Sequence, residues 1–202
     1  MDETMNFNAT TKENVEITSK SRETKAEKIL EVQERYRKMS GSKYIGISED
    51  RLHHMLGVAR KAYQIALERG HDEVFARKMF VIGWNHDIGY ELAENKEDHA
   101  KISALMLADT FFTNYGITND NGRNAIDAIS QHGYYFKKKT EEWIILNQAD
   151  MLIGPDGRDM SVMERLEDIK ERYGEYSDDY LTACDVAYSI GLTAINLGAN
   201  SM

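Results

Sequence analysis

Cysteine and proline are almost absent from this chain of 202 residues, each occurring once. The single cysteine, Cys184, can form neither an intramolecular disulfide nor a thiolate metal cluster. A single proline leaves few positions at which a helix must break, so long helices are favoured over a loop-rich all-β fold. These absences predict a helical protein that resides in a reducing compartment.

Long apolar runs and an excess of positive charge are missing as well. No apolar run approaches the roughly 18 residues that a membrane span requires, and the first residues lack the basic and apolar pattern of a secretory signal. We therefore expect a cytoplasmic protein that does not contact membranes. The formal net charge of −9 also disfavours a nucleic-acid polymer as partner, because such binding normally uses a basic surface.

The sequence is rich in helical periodicity, which predicts an all-α bundle of about eight helices in one domain. We expect a polar N-terminal arm over residues 1–22 and a helical domain over residues 23–202, with no strand. The first helix is expected to run from Thr24 to Gly41. The others are expected at about Ser48–Gly70, Asp72–Gly89, Glu97–Gly116, Asn119–His132, Thr140–Gly154, Ser161–Tyr173 and from Ser177 onward, with Ser48 and Thr140 as N-caps.

Two adjacent histidines fall on different sides of the second predicted helix. At about 100° per residue, His54 lies at the border of the apolar arc, whereas His53 falls among polar residues. We therefore predict that His54 is half buried and that His53 is solvated. Arg51 lies near His54 on the same side, where it is either an arginine reaching from the core edge to solvent or a clamp for phosphate.

His86 and Asp87 close one strongly apolar segment, and Asp150 lies inside another. The C-terminal end of a helix carries partial negative charge, which suits a cation. Gly89 provides the ending turn at which two adjacent residues can reach one ion. An ionised carboxylate in the run Trp143–Ile153 is costly unless it is paired or binds a metal. We predict that Asp150 is a metal ligand, with a capping role or a buried ion pair as the alternatives.

His99 opens the fourth predicted helix and His132 closes the fifth. Alone, each is more typical of a surface or capping histidine than of a ligand. Considered with the other four residues, they complete a candidate set of six metal ligands, namely His54, His86, Asp87, His99, His132 and Asp150.

These residues resemble the H…HD…D signature of the HD superfamily. The likeness spans about residues 48–173, and the blocks that carry it are Arg51–Ala59, His86–Gly89 and Gln148–Asp150. In that signature the first histidine precedes a Gly-Val-Ala run, which again selects His54. The resemblance implies a helical HD domain, a bound divalent metal and metal-dependent hydrolysis of a nucleotide-like phosphate.

The two additional histidines are similar to those of HD proteins that hold two metals. The resemblance implies that a first ion binds to His54, His86, Asp87 and Asp150, and that Asp87 bridges to a second ion on His99 and His132. Imidazole and carboxylate ligands without thiolate suit iron, manganese, zinc, cobalt or magnesium and do not discriminate among them. Whether one or two ions bind stays open.

Three further segments are similar to those of bacterial HD hydrolases that split symmetrical dinucleoside tetraphosphates: Ala149–Asp159, His99–Lys101 and Ala128–His132. Helix position and this resemblance imply that Asp87, Arg51 and Lys101 are catalytic. A small phosphorylated substrate is expected to bind to Arg51, Lys101, Lys137, Tyr134 and Arg158. Tyr134 would stack on a base, although packing in the core or in an interface is an equal alternative.

Two other functions remain open at this point. A two-iron HD oxygenase acting on a small polyol or phosphonate would need dioxygen for turnover. A non-catalytic sensor would bind a nucleotide or an alarmone without hydrolysing it. The complete set of candidate ligands favours an enzyme. A homodimer, with the arm packed against another subunit, is one option for the assembly.

Overall fold

The computed structural model describes residues 47–93, 98–108, 119–134, 137 and 139–192. The described part of the chain contains seven α-helices and no strand apart from an isolated bridge between Ile153 and Asp159. This confirms the predicted all-α fold. The elements are α1 (Glu49–Glu68), α2 (Glu73–Asn85), a 3-10 helix (Tyr90–Leu92), α3 (His99–Ala108), α4 (Asn119–Ser130), α5 (Glu141–Met151), α6 (Val162–Tyr173) and α7 (Asp178–Ser189).

Three expectations lie partly or wholly outside the described residues. They are the arm over residues 1–22, the helix predicted from Thr24 to Gly41, and the end of the helix predicted to reach Gly116. None of the helices that the structure describes is both long and apolar enough to cross a membrane.

Side-chain caps fix where the helices begin. The hydroxyl oxygens of Ser48 and Thr140 accept hydrogen bonds from the backbone N–H groups of Arg51, at 3.3 Å, and Trp143, at 3.2 Å. Both predicted N-caps are thus confirmed. The side chains of Asp72, Ser161 and Ser177 cap α2, α6 and α7 in the same way, which satisfies donors that the first turn of a helix leaves free.

Four helices end earlier than the periodicity predicts. Helices α1, α2, α4 and α5 end at Glu68, Asn85, Ser130 and Met151 instead of at Gly70, Gly89, His132 and Gly154. Turns follow α2 and α4, and the loop after α5 is closed by a 2.8 Å hydrogen bond from the Met160 N–H to the Leu152 carbonyl. The residues His86, Asp87 and His132 therefore lie on turns.

A close crossing of α1 and α2 brings two candidate ligands together. A Cβ atom on Gly83 would lie 2.8 Å from the Cα atom of Ala59, so only glycine permits this approach of the two backbones. His54 precedes Ala59 in α1 and His86 follows Gly83 after α2. The surrounding core is apolar and includes Val58, Ala62, Met79, Ile82, Ile129, Trp143, Leu146 and Val186.

Helix α5 crosses the centre of this core and contacts α1, α2, α4 and α7. Its residues Trp143, Ile145, Leu146 and Ala149 are fully buried. Asp150 is therefore carried by a helix that the other elements hold on several sides, which fixes the position of its carboxylate.

Candidate metal centre

Five separate elements bring the six candidate ligands together. Helix α1 provides His54, the turn after α2 provides His86 and Asp87, the start of α3 provides His99, the turn after α4 provides His132, and the end of α5 provides Asp150. The carboxylate of Asp87 lies at the middle of this cluster, because it approaches all four imidazoles.

One oxygen of Asp87 belongs to a group of four possible ligand atoms. Its Oδ2 atom lies 3.8 Å from His54 Nε2 and 3.5 Å from His86 Nε2. The Oδ1 atom of Asp150 completes the group, at 3.1 Å from His54 Nε2 and 3.8 Å from His86 Nε2. The ligand atoms of His54, His86 and Asp150 lie within 4.8 Å of one another, close enough to share one metal ion, and Asp87 Oδ2 lies beside both imidazoles.

The other oxygen of Asp87 faces a second group. Its Oδ1 atom lies 3.3 Å from His99 Nε2 and 3.1 Å from His132 Nε2. The two imidazole nitrogens are themselves 3.1 Å apart. Asp87 therefore presents one oxygen to each group, which is the arrangement expected of a bridging carboxylate.

Backbone carbonyls orient three of the histidines. The Nδ1–H groups of His54, His86 and His132 donate to the carbonyl oxygens of Gly154, Gly83 and Ile129, at 2.9, 2.7 and 2.6 Å. A carbonyl oxygen can only accept, so each Nδ1 carries a proton and the other ring nitrogen, Nε2, faces the cluster. Hydrogen bonds of this kind fix the tautomer and ring orientation of metal-binding histidines.

The protonation states also suit cation binding. Burial lowers the pKa of His86 to about 4, so its imidazole is neutral near neutral pH. Burial alone would raise the pKa of Asp87, but the charges and hydrogen bonds of the facing imidazoles outweigh it and hold that pKa well below its ordinary value. Asp150 behaves in the same way, because the hydrogen bond with His54 outweighs its burial and lowers the pKa of Asp150.

A family comparison agrees with this geometry. The model of the HD domain matches residues 51–155, just over half of the chain. The chain is a member of the HD-domain family. Members of the family are generally metal-dependent phosphohydrolases. Comparison with curated proteins and with solved structures gives no match.

The donor set of this HD domain fits a divalent cation. The imidazole of His86 is fully buried, and its Nε2 atom has no hydrogen-bond partner among the described residues. Such a lone pair, directed at two carboxylates, is unfavourable unless a positive ion lies between them. Neutral imidazole and ionised carboxylate are the forms that bind metal, and His86, Asp87 and Asp150 have these forms near neutral pH, so the cluster is suited to a metal ion.

The helical-wheel interpretation of α1 in the HD domain is confirmed. His54 is 1% exposed, more deeply buried than predicted, whereas the neighbouring His53 is exposed. Arg51 is partly buried, and its Nη1 atom lies 2.5 Å from Asp87 Oδ2. The guanidinium also lies 3.5 Å from the centre of the Tyr90 ring. Arg51 therefore points to the ligand cluster and does not extend into solvent.

A cavity of about 420 Å³ opens beside the cluster. Two predicted substrate-binding residues, Arg51 and Tyr134, contribute to its wall, together with the ligands His54, Asp87, His99, His132 and Asp150. A pocket of this size accommodates a small molecule.

Three predicted phosphate-binding cations do not line this cavity. The side chain of Lys101 is 67% exposed and pairs with Asp98, because it lies two residues after His99, about 200° around α3. Arg158 is 73% exposed in the loop after α5, and Lys137 is exposed as well. The geometry gives no support for catalysis by Lys101 or for substrate binding by the three residues.

The structure also reveals functional candidates that the sequence reasoning missed. Asn147 is buried, and its Oδ1 atom accepts a hydrogen bond from the Gly133 N–H at 2.9 Å, which anchors the turn that carries His132. The buried-polar argument used for Asp150 would have identified it. Arg165 and Arg172 on α6 line the same cavity as the ligands. Their two-turn spacing is the only sequence signal that they share a helix face.

Proposed function

We propose that this HD protein is a metal-dependent phosphohydrolase that uses water to cleave a phosphoester or phosphoanhydride bond of a nucleotide-like substrate. The observation that carries the proposal is the position of Asp87, whose two oxygens face two separate sets of imidazoles within 3.8 Å. A carboxylate shared in this way is typical of two-metal sites that hydrolyse phosphates.

The residues divide into two sets of ligands around Asp87. His54, His86, Asp87 and Asp150 would hold one divalent cation, and Asp87 with His99 and His132 would hold another. Ions bound there would lower the pKa of a water molecule and neutralise phosphoryl oxygens. The backbone carbonyls behind His54, His86 and His132 fix the orientation of these rings, so that their Nε2 atoms would be available to such ions.

Arg51 and two tyrosines provide contacts for the substrate in this proposal. Arg51 is held between Asp87 and the ring of Tyr90, so its remaining N–H groups would donate to a phosphoryl oxygen beside the ligands. Tyr134 lines the same cavity and would stack on a base. Symmetrical dinucleoside tetraphosphates belong first in a substrate panel, because the segment Ala149–Asp159 is similar to that of their hydrolases.

The test is metal analysis followed by a hydrolysis panel. Protein purified without chelator is expected to contain up to two transition-metal ions per chain by elemental analysis. Phosphate release from mononucleotides, nucleoside triphosphates and dinucleoside tetraphosphates would then be measured with added Mn²⁺, Fe²⁺, Co²⁺ or Mg²⁺. His54→Ala is expected to abolish turnover, whereas the matched control His53→Ala removes an exposed imidazole one residue away and is expected to retain it.

Three outcomes would overturn the proposal. A mixed-valence iron pair that needs dioxygen for turnover would identify an oxygenase. Tight nucleotide binding without hydrolysis under every metal would identify a sensor. Loss of turnover in His53→Ala with retention in His54→Ala would show that the ligand on α1 is wrongly assigned.

A further inference from the structure

We propose that Arg165 and Arg172 of α6 bind a second phosphoryl group of the substrate, adjacent to the one that reacts at the Asp87 cluster. The substrate would then contain a chain of linked phosphates and not a single phosphate ester. This inference rests on the proposed function, and it concerns two residues that lie beyond the part of the chain matched by the HD-domain family model.

The two arginines lie on one face of α6 and both line the cavity. They are two helical turns apart, so their Cα atoms are separated by about 10 Å along the helix. Their guanidinium groups both contact Asp168 Oδ2, so they lie close together although their Cα atoms are apart. The pair therefore forms one positively charged patch in the wall of the cavity that Asp150 also lines.

Arg165 has a donor that the protein does not use. Its side chain is 14% exposed, and its Nε atom is buried without a hydrogen-bond partner among the residues that the structure describes. A buried guanidinium donor without an acceptor is unfavourable. Nε itself is closed to the cavity, so an anion there would bind through the Nη atoms of Arg165 and add to the incomplete set of partners of this guanidinium.

Asp168 does not neutralise the two arginines. Its Oδ2 atom lies 3.2 Å from Arg165 Nη1 and 2.5 Å from Arg172 Nη2. One carboxylate between two guanidinium groups leaves the set with a net positive charge and holds both groups in place. Fixed, paired guanidinium groups are the usual means of binding phosphoryl oxygens in proteins.

Two other charges on the cavity wall limit where the anion binds. Asp178 and Asp179, in the first turn of α7, also line the cavity and are exposed. They disfavour an anion beside their own carboxylates. The second phosphoryl group is therefore expected at the guanidinium groups of Arg165 and Arg172, in the same cavity as the Asp87 cluster.

The experiment compares substrates with and without a second phosphoryl group. The double variant Arg165→Gln/Arg172→Gln is expected to lower kcat/KM for ATP and diadenosine tetraphosphate by about tenfold or more, mainly through KM. The kcat/KM for p-nitrophenyl phosphate is expected to change by less than about threefold. Lys170→Gln is the matched control, because it removes one positive charge from the same helix at a residue that does not line the cavity.

A binding measurement provides a readout that does not need turnover. Calorimetric titration of inorganic tripolyphosphate into metal-loaded protein is expected to give a Kd about tenfold or more weaker in the double variant than in the wild type or Lys170→Gln. The metal content of each variant is measured in parallel. Arg172→Gln alone and Arg165→Lys/Arg172→Lys serve if the double glutamine variant does not fold, and both are expected to weaken tripolyphosphate binding at unchanged metal content.

Failure of this inference is distinguishable from failure of the proposed function. Suppose that the wild type hydrolyses phosphates. If kcat/KM then falls equally for all substrates in the variants, or falls for none, the arginines do not bind a second phosphoryl group. If the wild type hydrolyses nothing but binds tripolyphosphate through the arginines, the anion site stands and the hydrolase proposal is wrong. Loss of metal from the variants would overturn the inference, because α6 would then support the metal ligands instead of the substrate.

Discussion

Replacing Asp87 by asparagine tests the bridging role directly. The substitution keeps the size of the side chain but removes the charge that faces the imidazoles on both sides, at 3.1–3.8 Å. The second set of ligands would then consist of His99 and His132 with a neutral amide. We expect this set to lose its ion. The first set keeps Asp150 and is expected to bind its ion about 100-fold more weakly, since even indirect partners of a ligand contribute 10- to 100-fold.

The loss of turnover can be estimated from the charge that is removed. Stabilisation of a phosphoryl transition state by bound cations amounts to several kcal/mol, and each 1.36 kcal/mol corresponds to about a tenfold change in rate. Asp87→Asn should therefore lower kcat by about 1,000-fold or more. The assays are elemental analysis after gel filtration and phosphate release with saturating metal.

The matched control for this experiment is Asp185→Asn. It replaces an exposed carboxylate on α7 that does not line the cavity, and both metal content and turnover are expected to match those of the wild type. Retention of two ions and of wild-type turnover by Asp87→Asn would refute the bridging role. Retention of turnover with one ion would restrict the chemistry to the first set of ligands.

Three further predictions concern stability. Glu142→Gln leaves the buried ammonium of Lys78, now 2.6 Å from the Glu142 carboxylate, without a charged partner, so urea unfolding at neutral pH should show a loss of about 3 kcal/mol. Burial would raise the pKa of Glu142, but the hydrogen bond from Lys78 outweighs burial and lowers that pKa. The stabilisation by the ionised carboxylate is therefore present above the ordinary carboxylate pKa and is lost as pH falls through the lowered value. The difference in unfolding free energy between variant and wild type should consequently shrink in acid. Gly157→Ala should lower the unfolding free energy by about 2 kcal/mol, because φ is +83° and the new Cβ would overlap the His53 carbonyl. Chelation should lower Tm by several degrees, and added metal should restore it.

Each stability prediction has a contrary outcome. Equal stability of Glu142→Gln and wild type at neutral pH would show that Lys78 finds another partner. The control for Gly157→Ala is Gly70→Ala, where φ is also positive but a Cβ would meet no atom within 4 Å; an equal loss at both positions would mean that packing against α1 contributes nothing. A Tm that does not respond to chelation would contradict the view that the ligand cluster binds metal in the folded state.

Residues on regular helices and at caps were the most predictable from sequence. The apolar arc of α1 separated His54 from His53 because one face of that helix packs against α2. Ser48 and Thr140 were identifiable as caps because their hydroxyls accept from the first turn, which is a local interaction. The run of apolar residues in α5 drew attention to Asp150 for a similar reason, since burial of a charge needs compensation.

The helix ends and the substrate-binding cations were less predictable. Gly89, the predicted end of α2, lies beyond that helix and contacts α3, where its N–H donates to the Ser103 hydroxyl at 2.9 Å. Periodicity carries no information on such a distant partner. Helix position and the family resemblance favour Lys101, but in the structure it lies about 200° around α3 from His99 and is exposed. Arg165 and Arg172 are distant in sequence from every ligand and reach the cavity only through tertiary packing.

The ligand cluster and the α6 and α7 residues of the cavity come from different parts of the chain. All six candidate ligands fall within residues 51–155, the part that matches the HD domain. Arg165 and Arg172, with Asp178 and Asp179, come from α6 and α7 beyond it. A metal site on the six candidate ligands would require near-fixed distances among their side chains, whereas the α6 and α7 residues of the cavity would only have to complement the charge and shape of a bound molecule. Under the proposed function, changes in α6 and α7 would therefore alter which phosphate compound binds without disturbing the ligand atoms around Asp87. On this basis, substitutions on α6 should change how the substrates rank by kcat/KM, and substitutions around Asp87 should lower kcat/KM for all of them.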